Sequence, residues 1–535
     1  YKGLKPVYWC TDCETALAEA EIEYKNVNSN TAYVKFPVKN ANGKFDEKNT
    51  FVVIWTTTPW TLPGNTGITI GGDFDYSFVK IGEEVLIMAS ALVETVMKIA
   101  GIEEYEVVNE MKGAELEGVM CRHPFLDRDS KVVLGSPETV DVSLDTGTGA
   151  VHTAPSYGKE DYLCGLKNGL DIIVCVDGKG HQTAEAGPFA GMYYAKSDKE
   201  IIKYLDEKGL LLASQVVNHS YPHCWRCKHP IIFRATSQWF ASVDGFRKET
   251  LDAIKTVKWY PAWGEERISK MVEERNDWCI SRQRTWGVPI PVFYCKDCEK
   301  EYVTEDSLKK VQNIFKEKGS NAWFEMSEKE LMPEGAKCSC GCTEFKKETD
   351  IMDVWFDSGA MPYAQMHYPF ENKEIFDENY PADVISEAID QTRGWFYTLM
   401  AISTLIFDKS PYKNVLVLGH VQDKDGRKMS KHLGNVVDPW SVLDKQGADA
   451  VRWYFYTNSS PWLPNRFYED AVNEAQRKFM GTLWNTYAFF VLYANIDNFD
   501  ATKYTLEYDK LPVMDKWLLS KLNTLVKTVD EDLND

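Results

Sequence analysis

Nine of the 13 cysteines fall in four short clusters: "CTDC" (Cys10, Cys13), "CWRC" (Cys224, Cys227), "CKDC" (Cys295, Cys298) and "CSCGC" (Cys338, Cys340, Cys342). Two thiolates two residues apart in a tight turn face one ion, and two such turns complete a tetrahedral zinc site. Two sites is the economical count. "CKDC" pairs with Cys338 and Cys340, with Cys342 as an alternative, and "CTDC" pairs with "CWRC" across a segment long enough to be a complete domain. A second chemistry lies in "KDGRKMSKHLGN", where Lys428 and Lys431 flank a Met-Ser pair between Gly426 and Gly434. Two ammoniums on a glycine-hinged loop can close over a polyphosphate and stabilise charge building on a leaving group. A third is "WTTTPWTLPGN": Thr56, Thr57 and Thr58 run into a proline-stiffened turn, with Thr61 and Asn65 beyond. Hydroxyls gathered this way can orient a water or a ribose. Nearby in composition, "DTGTGAVHTAPSYGKEDY" places His152 and Asp161 among glycines, and a carboxylate there can hold an ammonium. No G-x-S-x-G elbow and no reactive cysteine setting accompany these stretches, so hydrolysis there would use an oriented water.

These residues need elements to position them. Between the outer cysteine pairs, "TAYVKFPV" and "FVVIWTTT" read as strands and "ASALVETVMKIA" as a helix, giving a compact mixed α/β domain over residues 28–217. "PADVISEAIDQTRGWFYTLMAISTLIF" passes from a short strand through a polar turn into a helix. Glu387, Asp390 and Gln391 therefore sit at a strand's carboxyl end, where open α/β sheets bind ligands. "KNVLVLGH" has the near-continuous apolar run of a buried parallel strand and leads directly into the lysine loop. Beyond it the periods are helical, with Asp438 as N-cap and Pro439 at the first helical position. "EDAVNEAQRKFMGTLWNTYAFFVLY" reads as a bundle helix.

The chain of 535 residues is too long for one core, and its 44% hydrophobic and 13% aromatic content is that of a folded protein. The net charge of −20 argues against non-specific nucleic-acid binding and leaves room for a partner held by local basic patches. No apolar run approaches the ~18 residues of a membrane span, and no signal-peptide pattern opens the chain. A soluble, cytoplasmic protein is expected. The sequence opens on Tyr1 and stops at "VDEDLND" inside a helical pattern, as a piece of a longer protein would.

Taken in order, these motifs resemble those of the class I aminoacyl-tRNA synthetases, and within them the isoleucine-specific family. The resemblance covers essentially the whole chain. "GRKMSKHLGN" is similar to the class signature loop, "DVWFDSG" (Asp353 to Gly359) and "DWCISRQRTWGVPIPVF" (Asp277 to Phe293) to the isoleucine-specific members, and "WTTTPWTLPGN" with "GTGAVHTAPSYGKED" to their editing domain. Valine-specific members share "DWCISRQ" without the "RTWGVPIP" continuation, and leucine-specific members carry an Arg-Pro-Asp version of the threonine stretch, absent here. His432 stands where the family usually has Ser, and Ala388 where Gly is common.

The resemblance implies an α/β multi-domain fold: the second half of a class I Rossmann-like nucleotide-binding fold, an inserted β-rich editing domain, zinc ribbons and a C-terminal α-helical bundle. The implied boundaries are a connective zinc-ribbon segment over 1–27, the editing domain over 28–217 and the returning connective region over 218–370. They continue with the half Rossmann-like domain over 371–437, a stem-contact segment over 438–466 and the start of the anticodon-binding bundle over 467–535. It implies ATP-dependent activation of isoleucine and transfer to tRNA, with Mg2+ accompanying ATP, about two zinc sites and a monomeric state. Lys428 and Lys431 would stabilise the departing pyrophosphate, Lys431 contacting ATP. Glu387, Asp390 and Gln391 would serve the adenylate, Gly419 and His420 would border adenine, and Trp355 and Trp395 would wall the isoleucine side chain. In the editing domain Thr56, Thr57, Thr58, Thr61, Asn65 and His152 would position a mischarged ribose ester and water, with Asp161 on its α-ammonium.

The need for two sites is energetic: one methylene is worth about 1–3 kcal/mol in an apolar pocket, a figure for which the isoleucine enzyme is itself a standard illustration. No H-x-G-H occurs among the nine histidines, so a complete editing site beside an incomplete synthetic site is expected. The alternatives are a valine- or leucine-specific synthetase, a free-standing hydrolase of mischarged tRNA, and a zinc-dependent tRNA-binding scaffold without catalysis.

Overall fold

The computed structural model describes residues 1–429 and 434–534, so Lys431 and His432 lie outside the described residues. The chain divides into two compact units, Tyr1–Ser386 with Asp390–Leu416, and Glu387–Ile389 with Val417–Asp535.

The first unit is framed by β1 (Lys2–Cys10), β2 (Thr15–Leu17), β3 (Ile22–Asn40), β4 (Thr50–Thr56), β5 (Gly67–Ile70), β6 (Asp75–Ile81) and β7 (Glu84–Ala89). It continues through β8 (Glu106–Lys112), β9 (Met120–Arg122), β10 (Asp129–Leu134), β11 (Ala150–Thr153), β12 (Leu211–Cys224) and β13 (Ile232–Ala241). Its first four helices are α1 (Val93–Ala100), α2 (Gly113–Leu116), α3 (Lys159–Asn168) and α4 (Tyr194–Glu207). A ten-stranded sheet runs β12-β3-β9-β10-β5-β11-β4-β7-β6-β8, and an additional β3–β4 pairing closes β3-β9-β10-β5-β11-β4 into a ring. Closure removes exposed edges from those strands. The ring explains why Thr31 to Phe36 are all buried: that part of β3 is covered on both faces, so its sequence does not alternate. Phe36, Ile54, Leu62, Ile68, Ile70, Tyr76 and Leu86, from the ring and the strands beside it, are fully buried in one core, each aliphatic one worth about 1.5–3 kcal/mol of transfer free energy.

The insertion enters and leaves through one neck. β3 and β12 run antiparallel from Ile22↔Cys224 to Val34↔Leu211, and β13 returns antiparallel to β1 from Trp9↔Ile232 to Lys2↔Trp239. This register carries "CWRC" back beside "CTDC" across the whole inserted ring. Further along, Phe293–Cys295 pairs with Glu301–Tyr302 and with Phe345–Lys347 over a core of Phe293, Trp323 and Leu331.

The strand Tyr412–Leu418 pairs parallel with Lys258–Tyr260 (Asn414↔Lys258, Leu416↔Tyr260), and Ala382–Ala388 completes a three-stranded sheet. The helix Trp395–Phe407 buries every residue from Phe396 to Thr404, which accounts for its lack of a polar face. Gly359 lets this helix close on Val354–Gly359: a Cβ there would stand 2.8 Å from the Thr398 carbonyl carbon and oxygen.

In the second unit, Asp438 caps Pro439–Gln446 by accepting from Trp440 N at 3.1 Å, as its sequence position suggests. Val442, Ala450, Tyr454, Phe467 and Val472 form the core beneath. Helices Thr482–Ile496 and Val513–Asn534 occupy the expected helical stretches, but neither buries a residue, so the packed bundle is not seen among the described residues. No described helix is long and apolar enough to cross a membrane.

Candidate active site and metal centres

Two separate polar stretches meet because β4 and β11 are parallel neighbours, with Val151 opposite Trp55. Thr56 and His152 follow those two residues directly, so both stand at the same level of the ring, near the ends of their strands. His152 is buried and held at both ring nitrogens: Asn65 Nδ2 lies 2.8 Å from Nδ1, and Thr61 Oγ1 lies 2.9 Å from Nε2. Asn65 Oδ1 accepts from Ser130 Oγ at 2.6 Å, so the amide can only donate to the imidazole. The hydrogen-bond network therefore assigns the proton to Nε2, which donates to Thr61 Oγ1. Thr61 in turn donates to Thr58 O at 2.7 Å, and its oxygen lies 3.3 Å from Thr58 Oγ1. Thr58 N donates to Thr56 Oγ1 at 3.1 Å. The relay ends at Thr58, which like Thr57 is only half-buried.

Burial pulls the His152 pKa down to about 3. A neutral ring whose Nδ1 lone pair is already occupied does not take a proton from water near pH 7. His152 is thus placed to hold Thr61 by a hydrogen bond, and its lowered pKa makes it a poor base near pH 7.

Asp161 sits in the first turn of α3, with Gly158 as the N-cap. Its Oδ2 accepts from Ala154 N at 3.2 Å, two residues beyond His152. A Cβ at Gly158 would come within 3.1 Å of this carboxyl, so glycine leaves it room. Burial, reinforced by Glu160, raises its pKa to about 7 despite the Ala154 hydrogen bond. Part of its surface stays open to solvent. A carboxylate so poorly compensated by the protein gains most from an arriving cation.

The cysteines gather as two quartets: the Sγ atoms of Cys10, Cys13, Cys224 and Cys227, and of Cys295, Cys298, Cys338 and Cys340, lie within 4.8 Å of one another in each set. Cys10 and Cys227 are 3.5 Å apart, as are Cys295 and Cys340. Tetrahedral zinc–thiolate geometry calls for sulfur separations of roughly 3.8 Å, so both sets could hold such an ion. Cys342 is outside the quartet; its sulfur accepts from Glu344 N at 3.3 Å and its carbonyl from Cys338 N at 2.9 Å.

The remaining candidates fall in both units. In the first, Gln391 Oε1 accepts from Trp395 N at 2.9 Å, Trp395 Nε1 donates to Ser358 O at 3.2 Å, and the Trp355 ring lies against Gly394. The two tryptophans are thereby brought to one place, with Asp390 in the same turn as Gln391. Asp353 caps the helix bearing Trp355 and receives Trp278 Nε1 at 2.8 Å and the Arg282 guanidinium at 3.2 Å. In the second unit, Gly419 N donates to Pro461 O and His420 O accepts from Asn465 N, both at 2.9 Å. Glu387 belongs to that unit by chain division.

Gly426 and Gly434 have φ of +80° and +63°, a backbone conformation that glycine adopts without strain. Lys428 is exposed.

The structure adds residues that the sequence reading passed over. Asp423 fastens the base of the lysine loop by accepting from Arg427 N at 2.8 Å, Arg427 Nε at 3.0 Å and Asn435 Nδ2 at 2.8 Å. These donors, Asn435 foremost, lower its pKa to about 2. An aspartate ahead of "KDGR" is a local turn signal that could have flagged it. Ser130 carries no such signal, because only the β10–β5 pairing brings it to Asn65.

A family profile described as tRNA synthetases class I (I, L, M and V) matches residues 1–463. The chain is 50% identical over 544 residues to an isoleucine–tRNA ligase of Caldanaerobacter subterraneus subsp. tengcongensis, covering 100% of this chain and 56% of that protein. Isoleucine–tRNA ligases of Thermoanaerobacter sp. and Moorella thermoacetica are 49% and 47% identical, each over 99% of this chain and 56% of the relative. The chain thus spans just over half the length of these curated relatives.

Proposed function

This chain belongs to the class I tRNA synthetases (I, L, M and V), and we propose that within that family it is part of an isoleucine–tRNA ligase carrying a second, hydrolytic site for tRNA mischarged with valine. The identity to isoleucine–tRNA ligases over the whole chain supports the amino acid. In the synthetic reaction the isoleucine carboxylate attacks the α-phosphate of ATP, pyrophosphate leaves, and the acyl group passes to the terminal ribose of tRNA. Lys428 and Lys431 stabilise the leaving pyrophosphate with Mg2+ arriving on ATP. Glu387, Asp390 and Gln391 hold the adenylate, Gly419 and His420 border the adenine, and Trp355 with Trp395 confine the side chain.

In the inserted ring, Asp161 receives the α-ammonium of the mischarged ester. The half-buried Thr57 and Thr58 orient the ribose and a water, and the Asn65–His152–Thr61 relay holds Thr58 in place. Water oxygen bonds to the acyl carbon, the ester C–O bond breaks, and the ribose oxygen takes up a proton, leaving valine and uncharged tRNA. Both cysteine quartets hold zinc, which when bound fastens the neck of the insertion and the second ribbon.

The observation carrying the hydrolytic reading is the relay from Asn65 to Thr58 at the level where β4 and β11 end, with Asp161 bonded two residues beyond His152. Asp161→Ala should slow hydrolysis of valyl-tRNA by roughly 10- to 100-fold, the range for losing a charge-assisted hydrogen bond. An unchanged rate would remove Asp161 from the site.

A further inference from the structure

We propose that Asp198 is a positioning residue of the threonine turn, acting through the Trp60 peptide; this rests on the hydrolytic reading above and adds a residue to it. The turn Pro59–Gly64 is a short 3₁₀ helix carrying prolines at 59 and 63. The first N–H groups of any helix lack internal acceptors. Here Pro59 has no N–H, Thr61 N finds Thr58 O at 2.9 Å, and the Trp60 N–H is left to be satisfied from outside. Asp198 Oδ1, on α4, accepts it at 2.7 Å, and Gln182 Nε2 donates to Trp60 O at 2.9 Å. The two peptide units that meet at the Trp60 Cα, Pro59–Trp60 through its N–H and Trp60–Thr61 through its carbonyl, are therefore each held by a side chain more than 100 positions away in sequence.

The far end is held in the same way. His123 Nε2 donates to Leu62 O at 2.8 Å and Arg128 Nη1 to Pro63 O at 2.9 Å. The indole of Trp60 meets Tyr157 and Tyr194 edge-on, at centroid distances of 5.3 and 5.1 Å, and Tyr194 opens the helix that carries Asp198.

Thr58 and Thr61 flank these two peptides, so holding both sets the 3.3 Å spacing of their hydroxyls. Freed of Asp198, the Pro59–Trp60 peptide can rotate and the relay from His152 no longer ends at a defined Thr58. The role needs an acceptor and not a charge. Burial raises the Asp198 pKa to about 7, so a neutral amide oxygen can stand in its place.

The test compares Asp198→Ala and Asp198→Asn with the parent chain by amide hydrogen exchange over residues 55–65 and by valyl-tRNA deacylation. Asp198→Ala should speed exchange over that peptide at least tenfold and lower kcat at least tenfold, with KM within about twofold, while Asp198→Asn restores both. Unchanged exchange in Asp198→Ala overturns the grip on the turn. Faster exchange with unchanged kcat overturns the positioning role. Absence of deacylation in the parent chain defeats the hydrolytic reading instead, and the exchange comparison still decides whether Asp198 holds the turn.

Discussion

At the scale of residues, burial moves the two titratable groups of the candidate hydrolytic site in opposite directions, lowering the His152 pKa and raising that of Asp161 to neutrality. His152 should remain neutral with its proton on Nε2 from pH 8 down to about 4, because its pKa is lowered to about 3. Nitrogen-15 NMR of the imidazole checks this, and a titration near 6.5 would contradict the assigned network. Asp161 should supply the pH dependence of the proposed hydrolysis. With a pKa raised to about 7 it becomes a carboxylate as pH rises through neutrality, so kcat/KM for valyl-tRNA should rise over that range. In Asp161→Asn that limb should vanish.

The linkage to stability runs the opposite way. The folded chain binds this proton more tightly than the unfolded one, so Asp161 favours the fold at low pH and loses that contribution as pH rises through about 7. Asp161→Asn should therefore raise Tm more at pH 8 than at pH 6. The residue types of this site were legible as the threonine run, Asn65, His152 and Asp161. The direction of the relay was not, because it depends on Ser130 and on β10 lying beside β5.

At the scale of elements, the cysteine spacing foretold the quartets and the β1–β13 and β3–β12 registers explain them. Purified chain should contain close to two zinc per molecule by metal analysis, and strong chelation should lower Tm. A folded chain with none would remove zinc from the account. Helix contact is equally specific at Gly359: Gly359→Ala places a methyl against the Thr398 backbone, which cannot move as a flexible side-chain tip would. The expected loss is about 1–3 kcal/mol in denaturant titration.

Strands and helices were readable from their periods. The closure of the ring was not, because the second β3–β4 pairing has no local signature and the buried stretch of β3 lacks alternation. The lysine loop drew notice by its charges, while Asp423 carried a local turn signal that was passed over and is revealed by the hydrogen bonds that converge on it.

At the scale of the whole molecule, the inserted ring carries its candidate site entirely on its own elements, from β4 to α4. The proposed second site has an energetic reason, since a pocket that accepts isoleucine cannot strongly reject a side chain one methylene smaller. Hydrolysis should therefore be separable from synthesis in this chain. The most direct measurement is the rate at which it deacylates valyl-tRNA compared with isoleucyl-tRNA, the tRNA being the same isoleucine acceptor. The account predicts hydrolysis of the valyl ester at least tenfold faster than of the isoleucyl ester. Equal rates for the two esters, or no hydrolysis of either by folded, zinc-loaded chain, would contradict it.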